Sequence, residues 1–434
     1  MPRRAVRAAH ALLTSEDEGR VCRDIPESAC QHQPENFLIH VVSLAATKLG
    51  DGLSDPKLVL SWLLGALGAP AGLVGLLVPV REAGALLPQL AIAASIRALP
   101  VRKWVWVAGS VVQGLCVLGM AAVALALNGA VAGWTVLGLL AVFALARSLC
   151  SVSHKDVLGK TVSKATRGTA SGSAGTLAAA GVLLAGAAFS LGWLPTEIEV
   201  VAILLMLAGL LWLFAAGLFA ALNEEPGATG GGGNALSLGW QQLDLLRSDA
   251  QLRRFIGCRI LLMATALSPP FMLALAGQQS AAELGALGPY LLAAGIAALI
   301  SSYIWGRLSD RSSRRVLILG GLIAAAALAV TSLWGQALIR LGLLPVLLFV
   351  VLLAHQGVRL GRATHLVDMA TPETRASYTA LSNTLIGAAL TASAGLAWLA
   401  QEAGYTSVIG LLAAGSLGGA IVAAGLHEVQ RDTP

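Results

Sequence analysis

The sequence predicts an all-α polytopic membrane protein with 12 transmembrane helices in two six-helix bundles, and two observations lead to this prediction. The first is composition: 56% of the 434 residues are hydrophobic and 12% are charged, whereas soluble domains carry roughly 25% charged residues. The second is a tandem repeat with a constant offset of 212 residues, in which Arg102-Lys103, Arg147 and Asp156 return as Arg314-Arg315, Arg359 and Asp368. Two copies of one hydrophobic unit indicate two halves around a central path.

The helices are predicted from apolar runs between polar breaks, because a span needs roughly 20 apolar residues. The runs cover residues 37–63, 72–96, 104–127, 134–156, 170–192 and 200–222, and then 255–277, 285–305, 316–335, 345–366, 377–400 and 406–426. The predicted domains are an N-terminal tail at 1–36, a first bundle at 37–222, a linker at 223–254, a second bundle at 255–426 and a tail at 427–434. A run of four glycines, 230–233, makes the linker a flexible tether.

The distribution of basic residues predicts the orientation. Of the 29 Lys and Arg residues, 21 fall in tails and loops of one side, only Arg340 falls in a loop of the other side, and seven lie within spans. Because basic loops stay in the cytoplasm, we expect both termini and the linker to be cytoplasmic. The expected location of the protein is a cell inner or plasma membrane. Membrane topology therefore explains the formal charge of +6, which gives no support to binding of nucleic acid.

Several functional classes lack their sequence signals. No P-loop motif is present, so we do not expect ATP to drive this protein, and nothing indicates an enzyme or a resident cofactor. Cys22, Cys30 and His32 in the N-terminal tail lack a fourth ligand. Because structural zinc is four-coordinate, we expect no metal site. The tail also lacks the pattern of a cleaved signal peptide, so the first span is expected to direct insertion.

The first two predicted spans carry an unusual set of charges. Span 1 contains Lys48, Asp51, Asp55 and Lys57, and span 2 contains Arg81 and Glu82. A charge at the bilayer centre costs about 2.5–3.5 kcal/mol on insertion scales, so we expect these residues to face a hydrated cavity and to pair, with charges that sum to zero. The alternative is an extracellular loop at 51–57, which would leave a short first span. The corresponding second-half segment, 263–270, carries no charge.

Further polar residues in the spans are candidates for the same cavity. Arg147 and Arg359 occupy equivalent positions in spans 4 and 10, and they either bind an anionic substrate or extend to the cytoplasmic headgroups. His355 and Gln356 of span 10 either line the cavity or pack within the bundle. Asn383 of span 11 either contacts substrate or makes an interhelical hydrogen bond.

A family resemblance rests on the segment 306–317, Gly-Arg-Leu-Ser-Asp-Arg-Ser-Ser-Arg-Arg-Val-Leu. It is similar to the loop motif G-x-L-x-D-R-x-G-R-R-x-x-L of the major facilitator superfamily, although Ser313 stands where Gly is usual. With the 6+6 repeat, the resemblance covers nearly the whole chain after residue 36. It implies a conformational loop formed by Gly306, Asp310, Arg311, Arg314 and Arg315. We expect Gly306 to allow close helix approach and Asp310 to pair with basic residues or a helix N-terminus.

The resemblance implies a secondary active transporter that moves a small organic solute by alternating access, and we expect coupling to protons. Asp51 or Glu82 is the predicted proton-coupling carboxylate, with Asp51 preferred because Gly50 and Gly52 give its surroundings freedom to rearrange. Mixed charges favour a zwitterion or organic ion over a neutral sugar. The alternatives are an exporter of drugs or metabolites with the same fold, and a non-transporting receptor or assembly factor. The expected partners are the substrate, protons and the lipid bilayer, and the expected state is a monomer.

Overall fold

The computed structural model describes residues 30–89, 92, 95–96, 98–227, 246–277, 287–370 and 375–430. This part of the chain contains fifteen α-helices of eight residues or more and no β-strand. In chain order they are α1 (Gln33–Leu53), α2 (Val59–Ala66), α3 (Ala71–Leu86), α4 (Lys103–Ala126), α5 (Gly129–Thr161), α6 (Lys164–Ser190), α7 (Ile198–Ala220), α8 (Ala250–Leu262), α9 (Ala264–Gly277), α10 (Leu287–Arg311), α11 (Ser313–Arg340), α12 (Leu344–Met369), α13 (Arg375–Ala392), α14 (Gly395–Ala403) and α15 (Tyr405–Ala424). Most of the predicted N-terminal tail and the run of four glycines lie outside the described residues.

These helices form 12 spans, as the sequence predicts, because three spans consist of two helices each. The interrupted spans are α1 with α2, α8 with α9, and α13 with α14. Within the described residues, nine of these spans are long and apolar enough to cross a membrane by length and composition, among them α8 with α9 and α13 with α14. The other three spans differ from these. One is formed by α1 and α2 and one by α3, and both carry charged residues. The third is α10, whose apolar part is shorter. The protein is therefore an all-α, multi-pass membrane protein.

The first span is interrupted at Pro56 and Asp55. The Asp55 carboxylate accepts hydrogen bonds from the backbone N–H groups of Lys57 (2.8 Å) and of the next residue (3.2 Å). Proline cannot donate a backbone hydrogen bond, and the Asp55 side chain satisfies N–H groups at the start of α2. The segment is thus not one continuous helix at 37–63, because α1 ends at Leu53 and α2 begins at Val59.

Small residues bring the two halves into close contact along two pairs of helices. Where α6 meets α10, a Cβ added at Gly295 would lie 2.8 Å from the Cα of Leu183. Where α3 meets α14, a Cβ added at Gly75 would lie 2.7 Å from the Cβ of Ala397. Helices in lipid gain little from hydrophobic burial against each other, so such close approach stabilises them through van der Waals contact.

The membrane face at which α1 begins and α15 ends is called the terminal face here. At this face Arg102 pairs with Asp156 (2.5 Å), and Lys160 pairs with Asp156 (3.1 Å) and with Glu224 (3.0 Å). Glu224 also accepts hydrogen bonds from the backbone N–H groups of Arg102 (2.9 Å) and Lys103 (2.7 Å), at the start of α4. A carboxylate is favourable there because the helix dipole is positive at its N-terminus. The network holds the segment after α7 against the first half.

Candidate functional site

Three helices of the first half meet at Asp51, which lies on α1. Its carboxylate accepts a hydrogen bond from Arg81 Nη2 on α3 at 2.8 Å and a second from Arg147 Nη1 on α5. Arg81 is buried, and its guanidinium carbon lies 4.8 Å from the centre of the Phe143 ring. Both arginines therefore point to a carboxylate inside the bundle.

Both lysines of the first span contact neutral acceptors. Lys48 Nζ donates to the carbonyl oxygen of Ser171 on α6 at 3.0 Å. Lys57 Nζ donates to His355 Nε2 at 3.4 Å, and His355 Nδ1 lies 2.9 Å from Thr265 Oγ1. Because Lys57 belongs to the first half and His355 to the second, this chain of contacts links the halves inside the membrane.

Glu82 differs from Asp51 in its partners. In the described part of the chain, no group forms a hydrogen bond or a salt bridge with the Glu82 carboxylate. The charges that act on it most are those of Lys57 and Arg81 from the first half and Arg362 from the second half. Glu82 therefore interacts electrostatically with cations of both halves, whereas both ion-pair partners of Asp51 belong to its own half.

Two arginines of the second half join this cluster, and neither was among the residues expected from the sequence. Arg362 on α12 lies near Glu82 and Arg359, and the buried Arg259 on α8 lies near Arg362. A signal was present, because all seven Lys and Arg residues of the predicted spans belong to this one cluster. They are Lys48, Lys57, Arg81, Arg147, Arg259, Arg359 and Arg362.

The cluster carries more positive than negative charge. Seven cations stand against three carboxylates, Asp51, Asp55 and Glu82, so the formal excess is four positive charges. The six residues of the first two spans sum to zero, as expected, but the structure adds four arginines to them. The cluster is also partly accessible: the side chains of Asp51 and Arg147 are 21% and 36% exposed, and Arg359 is exposed.

Two further predicted residues lie on helices of the second half. Asn383 on α13 accepts a hydrogen bond from Arg259 Nη2 at 3.3 Å and donates one through Nδ2 to Gln89 Oε1 at 3.0 Å. Gln89 follows α3, so this contact also crosses between the halves. Gln356 is half-buried on α12, and the contacts described for the cluster do not involve it.

The two glycines beside Asp51 are packing positions. A Cβ added at Gly50 would lie 2.8 Å from the ring of Trp212, and one added at Gly52 would lie 2.3 Å from Val182 Cγ2. They let α1 approach α7 and α6 closely, so this packing does not support the freedom to rearrange that the sequence suggested around Asp51.

The predicted conformational loop lies at the terminal face, between α10 and α11. Arg314 Nε lies 3.7 Å from a carboxylate oxygen of Glu428, in the segment that follows α15. The expected close approach at Gly306 is not found, because an added Cβ there would meet no described atom within 4 Å. The side chain of Asp310 lies outside the described part of the chain. The remaining members, Arg311 and Arg315, are exposed.

Two of the three tail residues considered as metal ligands, Cys30 and His32, lie in the described chain. Cys30 is disulfide-bonded, and a disulfide sulfur is not the thiolate that binds zinc. His32 Nδ1 lies 3.8 Å from a carboxylate oxygen of Glu35. Cys22 lies outside the described residues.

This chain matches known proteins in its structure. No protein-family model and no curated protein matches the sequence. A D-xylose–proton symporter shares 13% identity with a TM-score of 0.68, over 92% of this chain and 99% of that chain. The nucleoside transporter NupG shares 12% identity with a TM-score of 0.66, over 90% and 99% of the two chains. A POT family transporter in complex with a thioalcohol-conjugated peptide shares 10% identity with a TM-score of 0.66, over 92% and 97%.

The chain has the major facilitator fold. This fold accounts for the 12 spans and for the repeat of 212 residues, which relates the two six-helix halves. In this major facilitator fold the charged cluster takes side chains from both halves, and the contacts from Lys57 to His355 and from Asn383 to Gln89 cross between them.

Proposed function

We propose that this protein is a secondary active transporter that moves a small organic solute across the membrane by alternating access. The observation that carries the proposal is the charged cluster inside the membrane, which draws side chains from both halves of the fold. Ionisable residues within a membrane are costly and mark substrate or ion paths. Rocking of two repeats about a central site would expose that site to each side in turn. The likeness to a sugar symporter and a nucleoside transporter supports the proposal.

We propose in addition that protons drive the transport and that Glu82 carries the proton. One similar structure is named a proton symporter, which supports the coupling. Asp51 is paired with Arg81 and Arg147 of its own half, so its partners move with it. Glu82 has no hydrogen-bond or salt-bridge partner among the described residues, and it interacts electrostatically with Arg362 of the other half. Separation of the halves would therefore change the electrostatic environment of Glu82 more than that of Asp51, which favours Glu82 over the sequence-based choice.

The test is transport in proteoliposomes, with a solute selected because it stabilises the purified wild-type protein against heat. Glu82→Gln is expected to abolish accumulation against a gradient and to retain exchange between equal pools, because exchange needs no net proton movement. Asp51→Asn is the matched variant, since it also neutralises a carboxylate of the cluster. Protein of this variant that folds should keep proton-driven accumulation.

Two outcomes would contradict these proposals. Accumulation with unchanged pH dependence in both variants would exclude proton coupling through these two carboxylates. A solute that binds but is never transported would favour the receptor alternative instead.

We propose that the terminal face is cytoplasmic and that the protein acts as a monomer in a cell inner membrane. The orientation is supported by the basic residues of this face, among them Lys103, Lys160 and Arg315, because positively charged loops remain in the cytoplasm. A reporter fused after residue 431 tests the orientation, and activity on the opposite side would reject it.

A further inference from the structure

The two halves differ at one pair of equivalent arginines. Arg147 and Arg359 are related by the repeat offset of 212 residues, and Arg147 pairs with Asp51. The residue 212 positions after Asp51 is Met263, and the whole segment 263–270 carries no charge. Arg359 therefore lacks the carboxylate that its counterpart in the first half binds.

Two neighbouring arginines of the second half are also without a carboxylate partner. Among the described residues, neither Arg359 nor Arg362 forms a hydrogen bond or a salt bridge. The described side-chain contacts of Arg259 are with the neutral Asn383 and with the ring of Phe255, and its buried Nε forms no hydrogen bond in the described chain. The carboxylate that acts on Arg362 is Glu82, from the opposite half.

An arrangement of this kind is unfavourable unless a further anion completes it. Charges inside a membrane protein are normally paired, because an ionised residue there is costly. The cost falls on the buried Arg259 more than on the exposed Arg359. The cluster has four more positive than negative charges. The arginines of the second half supply most of this excess.

We propose that the solute is a small organic dianion, whose carboxylate or phosphate groups pair with Arg359 and Arg362. The planar guanidinium fork matches the oxygens of both kinds of group and binds them through two parallel hydrogen bonds. Two guanidinium groups without a direct carboxylate contact fit two carboxylates, or the two charges of a single phosphate group. That this anion is the transported solute rests on the proposed transport function.

The excess of charge also separates this ligand class from the others that the sequence left open. A zwitterion would add an ammonium group to a cluster that already carries excess positive charge. A neutral sugar would leave that excess uncompensated. A dianion reduces it by half.

The experiment is thermal unfolding of the full-length protein in detergent, at an ionic strength held constant with sodium chloride. The dianionic probes are succinate and glucose 6-phosphate, and their neutral counterparts are succinamide and glucose. A ligand that binds only the folded state raises the Tm, so we expect at least one dianion to raise it by about 2 °C or more. Its neutral counterpart should have no effect. A response to succinate alone indicates carboxylate groups, and a response to glucose 6-phosphate alone indicates phosphate.

Variants locate the bound anion. Arg359→Gln and Arg362→Gln should each weaken the apparent affinity at least about tenfold, because each removes one charged partner. Arg362→Lys keeps the charge and removes the fork, so its affinity should be intermediate, and it replaces Arg362→Gln should that variant fail to fold. The control is Arg340→Gln, at an exposed position of the opposite face, which should bind as the wild type does.

The inference is overturned by any of three results. These are no Tm shift with either dianion, an equal shift with the neutral counterpart, and an unchanged affinity in folded variants at Arg359 and Arg362. Failure of transport is distinguishable from these. Dianion binding without movement in proteoliposomes would reject the transport proposal alone, and transport of a neutral solute without dianion binding would reject this inference alone.

Discussion

Asp249 and Tyr378 form a contact at the terminal face that connects two spans of the second half. The Asp249 carboxylate accepts hydrogen bonds from the backbone N–H groups of Gln251 (2.8 Å) and Leu252 (3.0 Å), and so caps the start of α8. It also accepts a hydrogen bond from the Tyr378 hydroxyl at 2.5 Å. Desolvation opposes ionisation of Asp249, but these hydrogen bonds outweigh it and lower the pKa of the carboxyl. The bond to the carboxylate, together with burial, raises the pKa of Tyr378 to about 12.

The raised pKa of Tyr378 predicts a loss of stability at alkaline pH. A group whose folded-state pKa is raised stabilises the fold fully below its unfolded pKa, about 10 for tyrosine. This stabilisation falls as the pH rises towards the folded-state value of about 12. Tyr378→Phe should therefore lower the Tm at pH 8, and the difference from the wild type should narrow at pH 11. Tyr405→Phe is the comparison for the hydrogen bond itself: the Tyr405 hydroxyl has no hydrogen bond among the described residues, so this variant should lower the Tm at pH 8 by less. An equal Tm difference between Tyr378→Phe and the wild type at both pH values would contradict the raised pKa of Tyr378.

The close packing of α6 against α10 is the clearest constraint at the level of helices. Gly295 of α10 faces the backbone of Leu183 on α6, and an added Cβ would lie 2.8 Å from the Cα there. Real Cβ atoms do not approach other atoms this closely, so the two helices would have to separate. Because α6 and α10 belong to different halves, the change would act on the contact between the halves.

We expect Gly295→Ala to lower stability by about 1–3 kcal/mol, the usual cost of overpacking, and to slow solute exchange in proteoliposomes. The control on the same helix is Gly306→Ala, where an added Cβ meets no described atom within 4 Å. That variant should keep the Tm of the wild type. Equal effects of the two substitutions would show that loss of glycine in the helix, rather than packing between the halves, sets the stability.

At the scale of the whole molecule, the sequence predicted the spans better than the charged cluster. Apolar runs identify spans because hydrophobicity over about 20 residues is a local property. The resemblance also identified the fold, from the repeat and the segment at 306–317. The excess of positive charge was missed because Arg259 and Arg362 lie far along the chain from Glu82. Only packing of the halves brings them together. The available signal was the number of basic residues in all the predicted spans taken together, since no pattern within one helix indicates such a meeting.

The charge of the cluster also makes the membrane potential part of the energetics of this protein. One elementary charge that crosses 100 mV changes in energy by about 2.3 kcal/mol, and the empty site carries four more positive than negative charges. With the terminal face inside, a negative interior would favour the state in which the empty site faces the cytoplasm. A bound dianion would halve this effect. We therefore expect net uptake, which requires return of the empty carrier, to respond to a potassium diffusion potential in liposomes more strongly than exchange does. An equal response would mean that the cluster does not move through the electric field.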